Sequence, residues 1–301
     1  MRSVEIGRAV LVHGDCLEWL RARAERSIHA VVTDPPYGLR EYGEVEKAKL
    51  RAGRGGVWRI PPQLDGCRRR PLPRFTTLSA REQAAMRAFF AEWAKSLLRV
   101  LVPGGHVFVA SNPLVSHLLY MPMIEAGFEK RGEVIRLVQT LRGGDRPKNA
   151  HEEFPEVTVM PRSAWEPWGL FRKPCEGPVQ ENLRKWKTGG LRRESDARPF
   201  TDVIACAPTR ASERALAEHP SLKPQSFMRQ VVRAALPLGE GIVLDPFMGA
   251  GSTIAAAEHC GYRSIGIEVD PAFFALAVQA VPRLARYEPG RPRGGRARAC
   301  A

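Results

Sequence analysis

The sequence predicts an α/β protein built on a doubly wound, mostly parallel sheet. Strand-like apolar runs alternate with helix-patterned segments along the chain, as they must where crossover helices return the chain to parallel strands. Near the C-terminal end, a strand, a glycine turn, a helix, a second strand and an acid follow one another in the order of a nucleotide-binding unit.

The first run is AVLVH, 9–13, and the second is AVVT, 30–33. The second must stop at or before Asp34, because Pro35 and Pro36 cannot donate to a sheet ladder. Those prolines also stiffen the exit, holding the Asp34 carboxylate, two proline carbonyls and the Tyr37 ring in fixed relative positions. Such a turn suits an acceptor-lined pocket with one aromatic wall; a plain polar turn leaving a strand is the alternative. Residues 40–78, rich in Gly, Pro and Arg, read as a mobile loop or lid. A helix is expected over 79–100, stopped by a tight turn at Pro103-Gly104-Gly105 that leads into strand HVFVA, 106–110. Another helix is expected over 114–126. Residues 143–218 look irregular and basic, an inserted subdomain in which Trp165, Trp168 and Trp186 read better as a small core than as wedges for a flipped base. Helix 225–236, strand IVLD (242–245), helix 252–260, strand SIGIE (264–268) and helix 271–282 complete the alternation. After Pro282, six arginines face Glu288 alone, with almost nothing apolar to bury, so 283–301 reads as a disordered basic tail.

Composition narrows the function classes. Lysine and arginine exceed the acids by 14 over 301 residues, which favours a polyanionic partner such as nucleic acid. No run approaches eighteen apolar residues, and charges flank the short apolar run of the N-terminus, so neither a membrane span nor a secretory signal is expected and a cytoplasmic location follows. The six cysteines form no CxxC pair and no Cys/His cluster, which disfavours both a metal site and a disulfide framework. Oligomeric state is not readable.

In GEGIVLDPFMGAGSTIAAAEHCGYRSIGIEVD, glycines let the backbone approach a ligand, and Glu268 closes the next strand where an acid can accept from both ribose hydroxyls. An adenosyl ligand is implied. A dinucleotide or phosphate competes, but GAGST lacks both the GxGxxG spacing and the P-loop lysine.

Taken in order, GDCLEWL, TDPPYG, LVPGGHVFV, HPSLKP, LDPFMGAGST and GIEVD resemble the β class of S-adenosylmethionine-dependent DNA amino-methyltransferases. The resemblance covers most of residues 9–282 and implies a circularly permuted methyltransferase fold. A catalytic half (1–142, with the basic loop 40–78) would precede a target-recognition insert (143–218), a cofactor-binding half (219–282) and the tail (283–301). It makes Asp34, Pro35, Pro36 and Tyr37 the grip on the target base, with Asp34 also touching the cofactor. It sets Asp15 and Cys16 beside the cofactor adenine, and Lys223 and Pro224 at its methionine end. Asp245, Phe247, Gly249, Gly251 and Ser252 lie round the cofactor, with Glu268 on the ribose. Taken alone, Asp15 also reads as a helix N-cap, Lys223 as surface charge and Phe247 as core.

The implied activity is site-specific methylation of duplex DNA at adenine N6, in a restriction-modification setting, without a metal. In the resembled family an Asp before PPY accompanies adenine N6 more often than cytosine N4; cytosine N4 is the alternative, and a non-catalytic DNA-binding relative a more distant one. An exocyclic amine is a poor nucleophile, and the Asp34 carboxylate and Pro35 carbonyl could accept its two N–H bonds as charge develops on nitrogen. The target base must first be flipped from the duplex. KPCEG contains the Pro-Cys pair of carbon-5 cytosine enzymes, but Cys175 lies in the insert and the amine-directed motifs are complete.

Overall fold

The computed structural model describes residues 1–36, 63–64, 67–68, 78–138, 146–147, 149–161 and 163–289. Its strands are β1 (Arg2–Ile6), β2 (Ala9–His13), β3 (Ile28–Thr33), the short β4 (Gln63–Leu64) and β5 (Cys67–Arg68), β6 (Leu101–Ala110), β7 (Glu129–Leu137), β8 (Trp165–Arg172), β9 (Val203–Ala205), β10 (Ile242–Asp245) and β11 (Arg263–Glu268). Its helices are α1 (Cys16–Ala22), α2 (Ala80–Val100), α3 (His117–Glu125), α4 (Val179–Trp186), α5 (Ala211–Arg214), α6 (Gln225–Ala235), α7 (Ser252–His259) and α8 (Pro271–Arg286).

Among the described residues one nine-stranded sheet runs β1-β2-β11-β10-β3-β6-β8-β7-β9. The five neighbours β2, β11, β10, β3 and β6 are mutually parallel, whereas β1 and β8 are antiparallel to their neighbours. Helices cover both faces. On one, α1, α2 and α3 bury Leu20, Trp93, Leu97 and Leu119 against Val31, Val107 and Leu244. On the other, α6 and α7 bury Phe227, Val231 and Ala256 against Val32, Phe108 and Val243, and α8 packs beside α7. The permuted order is explicit, since β10 and β11, last in sequence, sit between β2 and β3.

Helix starts follow local chemistry. Asp15 accepts from the Leu17 and Glu18 N–H groups, and Ser79 forms a reciprocal capping box with Glu82. Asp270 caps α8, with Pro271 in the first turn where its missing donor costs nothing.

Four expectations change. Pro103-Gly104-Gly105 is not a turn before the strand, because α2 ends at Val100 and β6 runs through those residues from Leu101. They form a bulge: between Ile28 and Ala30 of β3 the register on β6 jumps from Leu101 to His106. The insert over 143–218, expected to be irregular, gives two strands to the main sheet, with β8 between β6 and β7 and β9 on the edge. Pro167 and Gly169 hid β8 by reading as breakers, yet a Cβ at Gly169 would lie 2.7 Å from the Tyr120 ring, so close packing requires glycine there. The three tryptophans share no core of their own. Trp168 is fully buried in the main core against Phe227, Trp165 is 39% exposed, and Trp186 donates to Glu176. Last, α8 continues past Pro282 to Arg286, with Leu284 buried and Arg229 donating to the carbonyls of Leu284, Ala285 and Tyr287. Residues 283–286 are therefore helix, and the tail beyond 289 lies outside the described residues, as do Tyr37 and most of the 40–78 loop. Among the described residues no helix is long and apolar enough to cross a membrane.

Candidate active site

From β10 the chain crosses over α7 to β11, and from β3 it crosses over α2 to β6 on the opposite side. The winding therefore reverses between β10 and β3, and in open α/β sheets such a reversal leaves a crevice at the carboxyl ends of the strands. Asp34, just past β3, and the glycine loop after β10 form its two lips.

On the β10 side, Gly249 and Gly251 hold φ +51° and +83°, left-handed values that favour glycine. A Cβ at Gly249 would stand 3.0 Å from the His219 ring, and one at Gly251 would strike Val281 at 2.4 Å. Glu268 ties the loop down, its Oε2 accepting from the Gly249 N–H at 2.9 Å and its Oε1 from the Asp270 N–H at 2.9 Å. The Glu268 carbonyl also accepts from the Gly14 N–H, bringing the α1 N-terminus beside it. Phe247 is half-buried on Phe89 and Trp93, centroids 6.2 and 5.8 Å away, so it serves as both core and wall.

Two expected ligand residues turn inward. Asp245 is 3% exposed, and its Oδ1 takes the Thr33 hydroxyl at 2.6 Å and the Phe247 N–H at 3.1 Å. Burial, only partly offset by hydrogen bonds from Thr33, Thr253 and Phe247, pushes its carboxyl up to about 6. Asp245 thus braces β10 against β3. Burial and then the Asp15 charge push the Cys16 thiol up to about 12, leaving it a neutral packing group beneath the Asp15 cap.

On the β3 side Pro35 is buried and Pro36 exposed. Asp34 Oδ2 lies 2.8 Å from Lys223 Nζ, which also lies 2.9 Å from Glu166 Oε1. Arg136 Nη1 meets Glu166 Oε2 at 2.8 Å, completing an alternating row of four charges. Lys223 is not surface charge: only 12% of its side chain is exposed. Its backbone N–H donates to Ser252 Oγ, and Gln225 Nε2 donates to the Ser252 carbonyl, so the segment ending in buried Pro224 is fastened to the start of α7.

Sequence reasoning missed Glu166, Arg136 and His219. Because β8 is antiparallel, its first residues reach the catalytic edge, and nothing local in WEPWG marks Glu166 as facing Lys223. His219 stood inside the quoted HPSLKP, and its chemistry appears only with the fold: its Nδ1 accepts from the Ser221 N–H and its ring lies 4.5 Å from that of Phe273. Burial, then Lys223, pushes the imidazole down to about 4, so it is neutral at pH 7. Among the described residues no group of three or more His, Cys, Asp or Glu could hold a metal ion.

A glycine loop and strand-end acid on one lip, with a proline-stiffened carboxylate on the other, make up the candidate site on a methyltransferase-type sheet. Residues 28–279 match the N6/N4 DNA methylase family, and the chain belongs to it. The Type II methyltransferase M.ScaI of Streptomyces caespitosus is 26% identical over 279 residues, 91% of this chain and 81% of its own length. M2.DpnII of Streptococcus pneumoniae is 21% identical over 90% of this chain and 88% of its own. In fold, the chain resembles the cytosine-N4-specific PvuII DNA methyltransferase (TM-score 0.58, 16% identity, 94% of this chain and 87% of that one). It also resembles a putative DNA modification methylase of Thermus thermophilus complexed with S-adenosyl-L-methionine (TM-score 0.55, 21% identity, 92% and 95%).

Proposed function

We propose that this chain methylates the N6 amine of adenine at specific sites in duplex DNA, using S-adenosylmethionine, in the cytoplasm. The observation that carries the proposal is the Asp34-Pro35 acceptor pair set across the switch point from the glycine loop and Glu268.

The cofactor fits these residues on chemical grounds. Glu268 gives one lone pair of each oxygen to a backbone N–H, and a carboxylate retains further acceptor sites for two ribose hydroxyls. Gly249 offers a loop without a side chain at the mouth, and Phe247 offers an aromatic wall. Asp15 and Cys16 close the adenine end as cap and packing, and Lys223, Pro224 and Ser252 close the other. When bound, S-adenosylmethionine supplies a methyl group on a sulfonium. Asp34 and the Pro35 carbonyl accept the N–H bonds of the flipped target amine, favouring a pyramidal nitrogen, and Asp34 or water takes the proton afterwards. Tyr37, which follows them in sequence, supplies a ring for stacking on the base.

Bases are read by the parts of 143–218 that leave the sheet, since direct readout needs side chains that reach the groove. Cytosine N4 is the second reading, favoured by the likeness in fold to the PvuII enzyme. Nucleoside mass spectrometry and modified-base sequencing of DNA from a methylation-free host expressing the chain decide between them. N6-methyladenine at one motif is the expected product; N4-methylcytosine alone selects the second reading, and no DNA methylation refutes both.

A further inference from the structure

Lys223 has two seats. Its ammonium lies 2.8 Å from Asp34 and 2.9 Å from Glu166, so it neutralises the same carboxylate that the proposed reaction needs as an acceptor. An ammonium on Asp34 opposes catalysis in two ways: it fills a direction from which the target amine must donate, and it cancels the negative charge that favours positive charge developing on that amine. Pulling Lys223 out into water is not open to it, because its backbone is fastened to Ser252 and its side chain is largely enclosed. A second, largely enclosed carboxylate within reach can keep the charge instead.

Glu166 is built for that task. Burial alone would raise its carboxyl, but the charges of Lys223 and Arg136 outweigh burial and hold it below the ordinary value, so it remains an anion. Arg136 is itself buried, bonded to Glu166, with the Ala207 carbonyl 3.4 Å from its Nη2 and the Phe227 ring beneath its guanidinium. Glu166 therefore stands on a fixed support in the sheet, while Asp34 stands on the turn that leaves β3.

Building on the proposed amine methylation, we propose that Lys223 is a placeholder for the target amine, and that Glu166, braced by Arg136, is the positioning residue that retains the ammonium when the amine takes over Asp34. Glu166 touches neither base nor cofactor in this scheme and acts only through Lys223. Without the Glu166 charge, the ammonium shifts its weight to Asp34, and the amine must compete with a tighter ion pair.

The test compares the full-length wild type with Glu166→Gln and Glu166→Asp. Glu166→Gln is expected to lower kcat for DNA methylation about tenfold to a hundredfold, the size of a misplaced reacting group, with the KM for S-adenosylmethionine moving less than about threefold. Glu166→Asp, which keeps the charge, should recover part of the rate. Acylation of Lys223 by acetic anhydride, which needs the neutral amine, followed by peptide mass spectrometry on the DNA-free protein, should be several-fold faster in Glu166→Gln, where one carboxylate instead of two holds the ammonium charged, and near wild type in Glu166→Asp. An unchanged kcat, a loss shared equally by kcat and cofactor KM, or an unchanged acylation rate would overturn the proposal. A variant that unfolds at the assay temperature while Glu166→Asp folds and gains no protection at Lys223 would overturn it too. Because acylation needs no DNA, a wild type that methylates nothing refutes the function while leaving the seat of Lys223 measurable.

Discussion

Asp34 and Glu268 occupy opposite lips of one crevice, and their partners assign them different tasks. Glu268 is engaged by two backbone N–H groups of the loop and the turn after β11, whereas Asp34 meets a side-chain cation at the mouth. Replacing Asp34 by alanine is expected to lower kcat about a hundredfold or more, with no rescue by cofactor. Glu268→Ala should raise the cofactor KM about tenfold or more, and saturating cofactor should restore most of the rate. Steady-state kinetics with both substrates varied separates the two, and rescue of Asp34→Ala by cofactor would remove Asp34 from the chemistry. Asp245 gives a second test at this scale. Its folded carboxyl, up to about 6 from 3.8, holds its proton more tightly than in the unfolded chain, so this contribution to stability is complete below about pH 4 and is lost as pH rises through 6. Asp245→Asn keeps the shape without the titration. The variant should therefore gain on wild type by on the order of 3 kcal/mol between pH 4 and 7 in denaturant unfolding. A difference that stays constant with pH would mean that the buried anion is fully compensated by its donors.

At the scale of elements, the bulge in β6 shows what one residue can hold. Gly104 has φ +77°, and a Cβ there would lie 2.4 Å from Asn182 Nδ2 and 2.9 Å from the Gly189 backbone. The same amide donates to the carbonyls of Pro103 and Thr188, so the bulge carbonyl is satisfied from α4, far along the chain. Gly104→Ala should cost about 2–4 kcal/mol in equilibrium unfolding, from left-handed strain plus overlap. Its effect should not add to that of Asn182→Ala, because both act on one contact. An additive pair would place the strain elsewhere. This bulge also explains where sequence reading stopped. Helix α2 and the paired units β10-α7-β11 and β3-Asp34-Pro35-Pro36 were legible because period, cap and breaker agree within each segment. Pro103-Gly104-Gly105 read as a turn, and Trp165–Arg172 as irregular, because Gly and Pro there answer to distant neighbours, Asn182 for Gly104 and Tyr120 for Gly169. The site divided the same way. Asp34, the glycine loop and Glu268 lie in local motifs, whereas Glu166 and Arg136 join Lys223 only through strand order.

Across the whole molecule, the charge excess of 14 is the feature that reaches a polyanion first. Part of it sits at the C-terminal end, but not all of that end is free to act as an arm. Arg286 closes α8, Leu284 is buried beneath it, and Arg229 holds the carbonyls that end the helix, so cutting after Pro282 would damage the fold. A cut after Pro289 respects these contacts and removes Arg291, Arg293, Arg296 and Arg298 with no acid. If those arginines meet phosphates, each contact contributes roughly 0.9 to the slope of log affinity against log salt on duplex DNA. Deleting them should therefore flatten the slope by about that amount per contact, up to roughly 3.6 for four. Sequence preference should survive, because phosphate contacts position a protein without reading bases. Methylation at saturating DNA should be unchanged, since the Asp34–Lys223 pair and the Glu268–Gly249 bond join residues that all precede the cut. DNA affinities of the full chain and the shortened chain, measured across a salt series on a cognate and an unrelated duplex, provide the comparison. Equal slopes would make the tail a solvated end without a DNA role. A loss confined to the cognate duplex would instead make it a reader of sequence, contrary to a phosphate-binding arm.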